Sequence, residues 1–555
     1  MRALPALAAL ALLLLAAPAA RGAPPASNLT ERRAVEAFLA EPKVARWLER
    51  YDRRPSTDAE LQKPAGLWRV HVWAGQAGEV ATGRVDDATG AVTEAWTGPQ
   101  VAWKMARGSP GAFGGKVLLS LPVWLALCAV FFLALGDPRR PLSLRNLDVL
   151  ALLSFSVSLW FFQRGEIFRS VPLVYPPLLY LAARTAWIGF RGRRERASVP
   201  VWPVWVLAAA AVFLAGFRVG LNLEAQRNVI DVGYAGVIGA DRILDGRAPY
   251  GTMPVTDDLP ACGPADADGF VRDRVQANGR CESANARGDT YGPAAYLAYV
   301  PAVGVLGWSG KWDELPAAHA TSILFDLLVV AGLVLVGRRL GGGRLAATLA
   351  LAWLAYPFTA YALNANTNDA IMPAVLVWGF LLVSSPAARG AAVAAAGWAK
   401  FAALLLAPLW LTYPRGLRPL ATRRFVAGFL AASAAVLWVV WLEPGVVEPA
   451  RVFWDRTVGF QLERNSPFSL WDWGQYRAAG IPDLGFLKPV AQVAALALAG
   501  VAAALPRHKT PLRLAALTAA VLLAVQLTLT HWFYLYLPWA LPFAALALLL
   551  RERDA

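Results

Sequence analysis

Charged residues make up only 16% of this 555-residue chain, and cysteines number three. So little charge, set against 57% hydrophobic residues, excludes an ordinary soluble globular protein and matches a polytopic membrane protein. Zinc-ligand spacings, a P-loop and a dinucleotide-binding glycine pattern are all missing, which argues against nucleotide chemistry. No internal repeat of the kind that builds two-fold transporters is visible. Acidic residues are the minority, 38 against 53 basic, for a net charge of +15. That excess does not point to nucleic acid, because the basic residues fall in short clusters between apolar runs, as positive-inside topology requires. Of the cysteines, Cys128 lies in an apolar run and is expected to be inert. Cys262 and Cys281 share one polar loop, and a Cys262–Cys281 disulfide is expected if that loop faces an oxidising compartment.

What is present begins with MRALPALAALALLLLAAPAA, a basic residue, an apolar core and small residues near Ala17-Pro18-Ala19. Residues 1–23 read as a secretory signal peptide. Residues 24–112 read as a small extracytoplasmic α+β domain. TERRAVEAFLAEPKVARWLERY has helical apolar spacing, LWRVHVW alternates like a strand, and EVATGRVDDATGAVTEAW reads as two strands joined at residues 86–90.

Thirteen apolar runs follow between residues 116 and 550. Placing Arg139/Arg140/Arg145, Arg191/Arg193/Arg194/Arg196, Arg338/Arg339/Arg344, Arg415/Arg418/Arg423/Arg424, Arg507/Lys509/Arg513 and Arg551/Arg553 all in the cytoplasm decides which runs cross. The arrangement that satisfies every cluster has about eleven spans, with 291–307 and 391–412 interfacial or re-entrant. The expected fold is therefore an all-α polytopic membrane protein with a small N-terminal α+β domain. Residues 113–217 form the first transmembrane helices, 218–310 an outer loop with interfacial helices, and 311–555 the main body. Non-spanning backbone at membrane depth is tolerated only within protein or beside water, so two such segments imply an internal cavity.

The outer side then receives the 218–290 loop, NANTND at 364–369, the 443–488 loop and HWFYLY at 531–536. A carboxylate at the membrane boundary is costly and marks a site more often than a greasy surface does. Asp231, just beyond the 201–217 run, reads either as a base or as an N-cap of the helix that VGYAGVIGADRIL forms. Asp241 and Asp245 read as a solvated face paired with Arg242 and Arg247.

The segments "ADRILDGRAPYG" and "YGPAAYLAYVPAVGVLG" after Asp231, and "GWAKFAALLLAPLWL" around Lys400, resemble the GT-C glycosyltransferases. They are most similar to family 87, the polyprenyl-phosphate-mannose-dependent mannosyltransferases, over roughly residues 200–550. Gly292 stands where that family often has proline. The head, through "VDDATGAVTEAW", resembles the small PepSY-type domains of bacterial envelope proteins.

The resemblance implies an inverting sugar transfer in a bacterial plasma membrane, from a polyprenyl-phosphate donor to a glycan or glycolipid acceptor on the extracytoplasmic side. Asp231 would be the catalytic base. Lys400, Arg456, Arg464 and His531 are candidates for the donor phosphate. Tyr234, Tyr250, Asp289, Tyr291, Asn366, Asn368, Asp369 and Tyr534 are candidates for the sugar or acceptor. No cofactor is called for, although a divalent metal is compatible with the class. Each residue also has a plainer reading: Lys400 snorkelling to a headgroup, Arg456 and Arg464 solvated, the asparagines with Asp369 a polar turn, His531 structural. A transporter or flippase of a lipid or glycolipid, and an envelope sensor using the head, remain the alternative functions.

Overall fold

The computed structural model describes residues 28–550, apart from 53–54, 109–110, 112, 193–201, 226–227, 252, 254–259, 262–272, 276–280, 284–287 and 311–313. The expected signal peptide and Cys262 of the expected disulfide lie outside the described residues. The chain is mostly helical and divides into two compact units. The first runs to Lys104 and also takes in Gly474–Ile481, and the second comprises Met105–Trp473 and Pro482–Ala555.

In the first unit a four-stranded antiparallel sheet has the order β1 (Ser56–Gln62), β2 (Leu67–Trp73), β3 (Glu79–Asp86), β4 (Val92–Thr97). The alternation in LWRVHVW buries Trp68, Val70 and Val72 while leaving Arg69, His71 and Trp73 more open. The turn after β3 is closed by Thr89, whose backbone N and Oγ1 donate to Asp86 Oδ1 at 2.8 and 2.7 Å. The helix expected across 30–51 is two helices, Glu31–Ala40 and Pro42–Leu48, because Pro42 has no N–H to continue the first and is well placed to start the second. Strand β1 was not expected. STDAELQ lacks alternation because it is the sheet edge and buries only Ala59. Tyr51 Oη donates to the Tyr476 carbonyl at 3.1 Å, and Arg50 and Ala479 exchange hydrogen bonds of 2.8 and 3.0 Å. One unit thus holds both the head and part of the late polar loop, so both belong to the same side of a membrane.

In the second unit six helices are long and apolar enough to cross a membrane: Leu144–Phe162, Val204–Glu224, Pro316–Ala355, Pro419–Trp441, Gly485–Ala504 and Pro511–Thr528. The 40-residue helix turns back at Gly342, whose φ of 76° leaves the helical region, and Gly337 then lies against Ala346. The expected span 345–362 is interrupted at Tyr356, between Ala355 and the helix Pro357–Asn364. Pro357 cannot donate to the preceding turn. Arg218 supplies the missing donors instead, bonding the carbonyls of Trp353 and Leu354 at 3.0 Å each and pairing with Asp326 at 2.6 Å. A second buried pair joins Arg184 to Asp148 at 3.3 Å. Both aspartates stand within long apolar helices.

Both runs read as non-spanning are broken. Residues 291–307 form the short helices Pro293–Leu297 and Val300–Leu306. Residues 391–412 lie in a helical hairpin. Pro386–Ala399 descends, Lys400 adopts an extended conformation (φ −140°, ψ 111°), and Phe401–Leu406 with Ala407–Leu411 returns. Arg389 joins the two ends. Its guanidinium donates to the carbonyls of Val383, Trp410 and Tyr413 at 2.6, 2.9 and 2.9 Å. Lys400 is therefore the tip of the hairpin.

Candidate active site

Asp231 is the first residue of the helix Asp231–Leu244, and Ile230 is its N-cap, which corrects the capping reading. The carboxylate makes no capping bond to a first-turn amide two or three residues on; among the described residues Oδ1 accepts from the neighbouring Val232 N–H at 3.0 Å. This helix is buried on every face because small residues let neighbours close in. A Cβ at Gly233, Gly236 or Gly239 would run into the Asn366 carbonyl, the Tyr299 ring or the Tyr296 ring at 2.2–2.5 Å. Asp241 and Arg242 are consequently buried, at 8% and 7% exposure, and not on a solvated face; Asp245 is exposed as expected.

Asp231 is reached by solvent yet lies deep among protein atoms, and that enclosure is the main reason its carboxyl is raised above the usual carboxylate range. The charges of Arg464 and Lys400 act on it in the opposite direction. Tyr291, Lys400, Arg464 and His531, unlike the exposed Asp231, are partly buried. Because the charges of Lys400 and Arg464 both act on Asp231, the three groups belong to one neighbourhood.

Lys400 stands at the hairpin tip among aromatic rings. Its ammonium pairs with Asp369 Oδ1 at 3.0 Å and sits 5.1, 5.9 and 5.5 Å from the ring centroids of Tyr291, Tyr536 and Trp539. Trp539 Nε1 donates to the same Asp369 oxygen at 2.9 Å. Gly292 is required beside the tip, since a Cβ there would meet the Trp398 carbonyl at 1.9 Å. This close approach is a physical reason for glycine where the resembling family often has proline.

Arg464 arrives from another direction, after the π-helical turn Asp455–Gly459 and the short helix Phe460–Glu463. Such irregular turns concentrate at functional sites. Its charge reaches Asp231, Tyr291, Tyr536 and His531, and it has no carboxylate partner among the described residues. His531 exchanges a 2.9 Å hydrogen bond with Ser466 Oγ, and burial, aided by Arg464, holds its imidazole well below the usual range.

Asp289 is fully buried. Oδ2 accepts from Gly251 N–H at 2.7 Å and meets Arg456 Nε at 3.4 Å, while Oδ1 has no partner among the described residues. Burial raises this carboxyl too. Tyr250 Oη donates to the Tyr291 carbonyl at 2.9 Å, tying this corner to the Lys400 cage.

Other candidates are packed or hydrogen-bonded elsewhere. Asn366 adopts a left-handed conformation (φ 52°), accepts from Asn222 Nδ2 and donates to the Asn228 carbonyl, both at 2.8 Å. Asn364 donates to the Gly114 carbonyl at 2.5 Å. Asn368 is buried, and its Oδ1 has no hydrogen-bond partner among the described residues. Tyr534 bonds Ser158 and Ser170 at 2.7 and 2.8 Å, and Tyr234 packs in the core against Trp308. The polar stretch NANTND is thus an interior brace and not a solvated turn, because the Asp231 helix covers it. Tyr536 and Trp539 were missed as cage residues; their interfacial aromatic character gave a signal, but one shared by many tryptophans and tyrosines of the chain.

Among the described residues no group of three or more His, Cys, Asp or Glu side chains converges to hold a metal ion. Compared with models of known families, with curated proteins and with solved structures, the chain matches none.

Proposed function

We propose that the protein is a membrane glycosyltransferase that moves a sugar, mannose or another hexose or pentose, from a polyprenyl-phosphate donor to an extracytoplasmic glycan or glycolipid. The observation that carries this reading is that the Asp231 carboxylate lies within the fields of two cations, Lys400 and Arg464, brought in by separate segments of the chain. Asp231 removes the acceptor hydroxyl proton as that oxygen attacks the anomeric carbon. The bond from that carbon to the phosphate oxygen breaks, the configuration inverts, and Arg464 with Lys400 stabilises the released lipid phosphate. The raised carboxyl makes a stronger base than a solvated aspartate. About eleven spans, with the 291–307 helices and the Lys400 hairpin re-entering, would set Asp231 and the two cations toward the outer side of a bacterial plasma membrane. Incubating the purified protein with radiolabelled polyprenyl-phosphate sugars and membrane glycolipid extracts tests the reading. Transfer lost in Asp231→Asn is expected; no transfer from any lipid-linked sugar would overturn it.

Transport is the second reading, favoured by the charged pairs Arg218–Asp326 and Arg184–Asp148 inside apolar helices. Their geometry weighs against it, since Arg218 braces the Pro357 break and Asp326 also accepts from Trp353 Nε1 at 2.8 Å. Uptake by vesicles that is lost in Asp326→Asn but kept in Asp231→Asn would favour transport.

A further inference from the structure

Among the described residues Asp369 is the one acidic side chain that touches the cation at the hairpin tip, and it is 1% exposed. One of its oxygens holds both the Lys400 ammonium and the Trp539 indole. Its own position is fixed from behind. The preceding turn is pinned by Asn366, which bonds Asn222 and Asn228, and Asn222 in turn meets His319 Nδ1 at 2.9 Å. Asp369 thus links the 364–369 turn, the hairpin and the aromatic segment 534–539, and leaves no open surface to a sugar.

We infer that Asp369 is a positioning residue: it holds Lys400 inside the cage of Tyr291, Tyr536 and Trp539 and partly offsets the positive field that Lys400 casts on Asp231. The inference rests on the proposed transfer reaction for its purpose, but the geometry it invokes does not depend on that reaction. In the resting protein Lys400 is a compensated cation, and Arg464, paired with no carboxylate among the described residues, is the one free to meet an incoming phosphate. The groups facing Asp231 are then Arg464, Lys400, Tyr291 and Tyr536, with Asp369 acting through Lys400.

This arrangement fixes the direction of two opposite effects. Asp369→Asn removes the offsetting charge, so the field at Asp231 becomes more positive and its titration moves to lower pH. Lys400→Met removes a cation, so the titration moves to higher pH. The double variant Asp369→Asn/Lys400→Met removes a neutral pair and returns it close to the starting position.

The measurement is infrared titration of the full-length protein in nanodiscs, with the carboxylic acid band of Asp231 identified by its loss in Asp231→Asn. It needs no turnover, so it separates failure of this inference from failure of the glycosyltransferase reading. Where activity is found, the acid limb of the pH–rate profile should shift in the same three ways, whereas general loosening of the site would lower the rate without opposite shifts. Movement of both single variants in one direction, or no movement in Asp369→Asn, would overturn the inference. Should Asp369→Asn fail to fold with Lys400 unpaired, the double variant still decides: it must titrate at lower pH than Lys400→Met.

Discussion

Asp231 is held where an ionised carboxylate is disfavoured. Burial raises its folded-state pKa above the unfolded value, so the native state binds more protons than the unfolded chain between the two. Its contribution to stability is therefore greatest below the ordinary carboxylate range and is lost as pH rises through the raised value. Asp231→Asn cannot ionise and escapes that loss. We expect this variant to melt at a higher temperature than the parent at pH 7 in the same detergent, and to lose transfer activity by a factor of about 10²–10⁴. A variant that is both less stable and fully active would contradict the assignment. For the parent enzyme the rate should rise with pH through the raised Asp231 value, because the base must be deprotonated. Asp245→Asn is the control. It is exposed at the end of the same helix and should change neither melting nor rate.

Among the elements, the hairpin depends on a single residue. Arg389 is 1% exposed and donates to three main-chain carbonyls from both of its ends. Arg389→Met leaves those acceptors without donors, and a buried acceptor left unsatisfied costs about 1–3 kcal/mol. The expected outcome is a protein with a lower melting temperature whose hairpin tip is displaced, read as weakened binding of a short polyprenyl monophosphate. Unchanged affinity would show that the closed ends do not set the tip. Gly292→Ala acts on the other side of the tip. The added methyl must displace the Trp398 carbonyl, so the same binding loss is expected without removal of any charge or donor.

Across the whole molecule, the sharing of one compact unit by the head and Gly474–Ile481 gives a topological prediction. Single cysteines at exposed Thr93 of the head and at Gly480, in a Cys-less background, should react with the same membrane-impermeant maleimide in intact cells. Cysteines at Arg338 and Arg423, both exposed and in basic clusters, should react only after permeabilisation. Labelling of Thr93→Cys from one side and Gly480→Cys from the other would refute the shared unit. Labelling of Arg338→Cys from outside would refute the eleven-span arrangement.

The sequence by itself determined what local periodicity and hydropathy can determine. It marked the strands at LWRVHVW and EVATGRVDDATGAVTEAW and the apolar helices to within a few residues at most of their ends. Each of these depends on residues that are neighbours along the chain. It also singled out Asp231 and Lys400, because charge beside or within an apolar run is conspicuous, and named Arg464 only as a cation of an outer loop. Tertiary structure alone decided the rest. Nothing near Asn366 in sequence says that its amide will be enclosed by Asn222 and Asn228, which are more than 130 residues away. Nothing local says that Asp369 will face Lys400 and Trp539, or that Arg218 will replace the donor that Pro357 lacks. Buried polar groups must find partners, and which partners they find is set by packing between distant helices, to which hydropathy and spacing are blind.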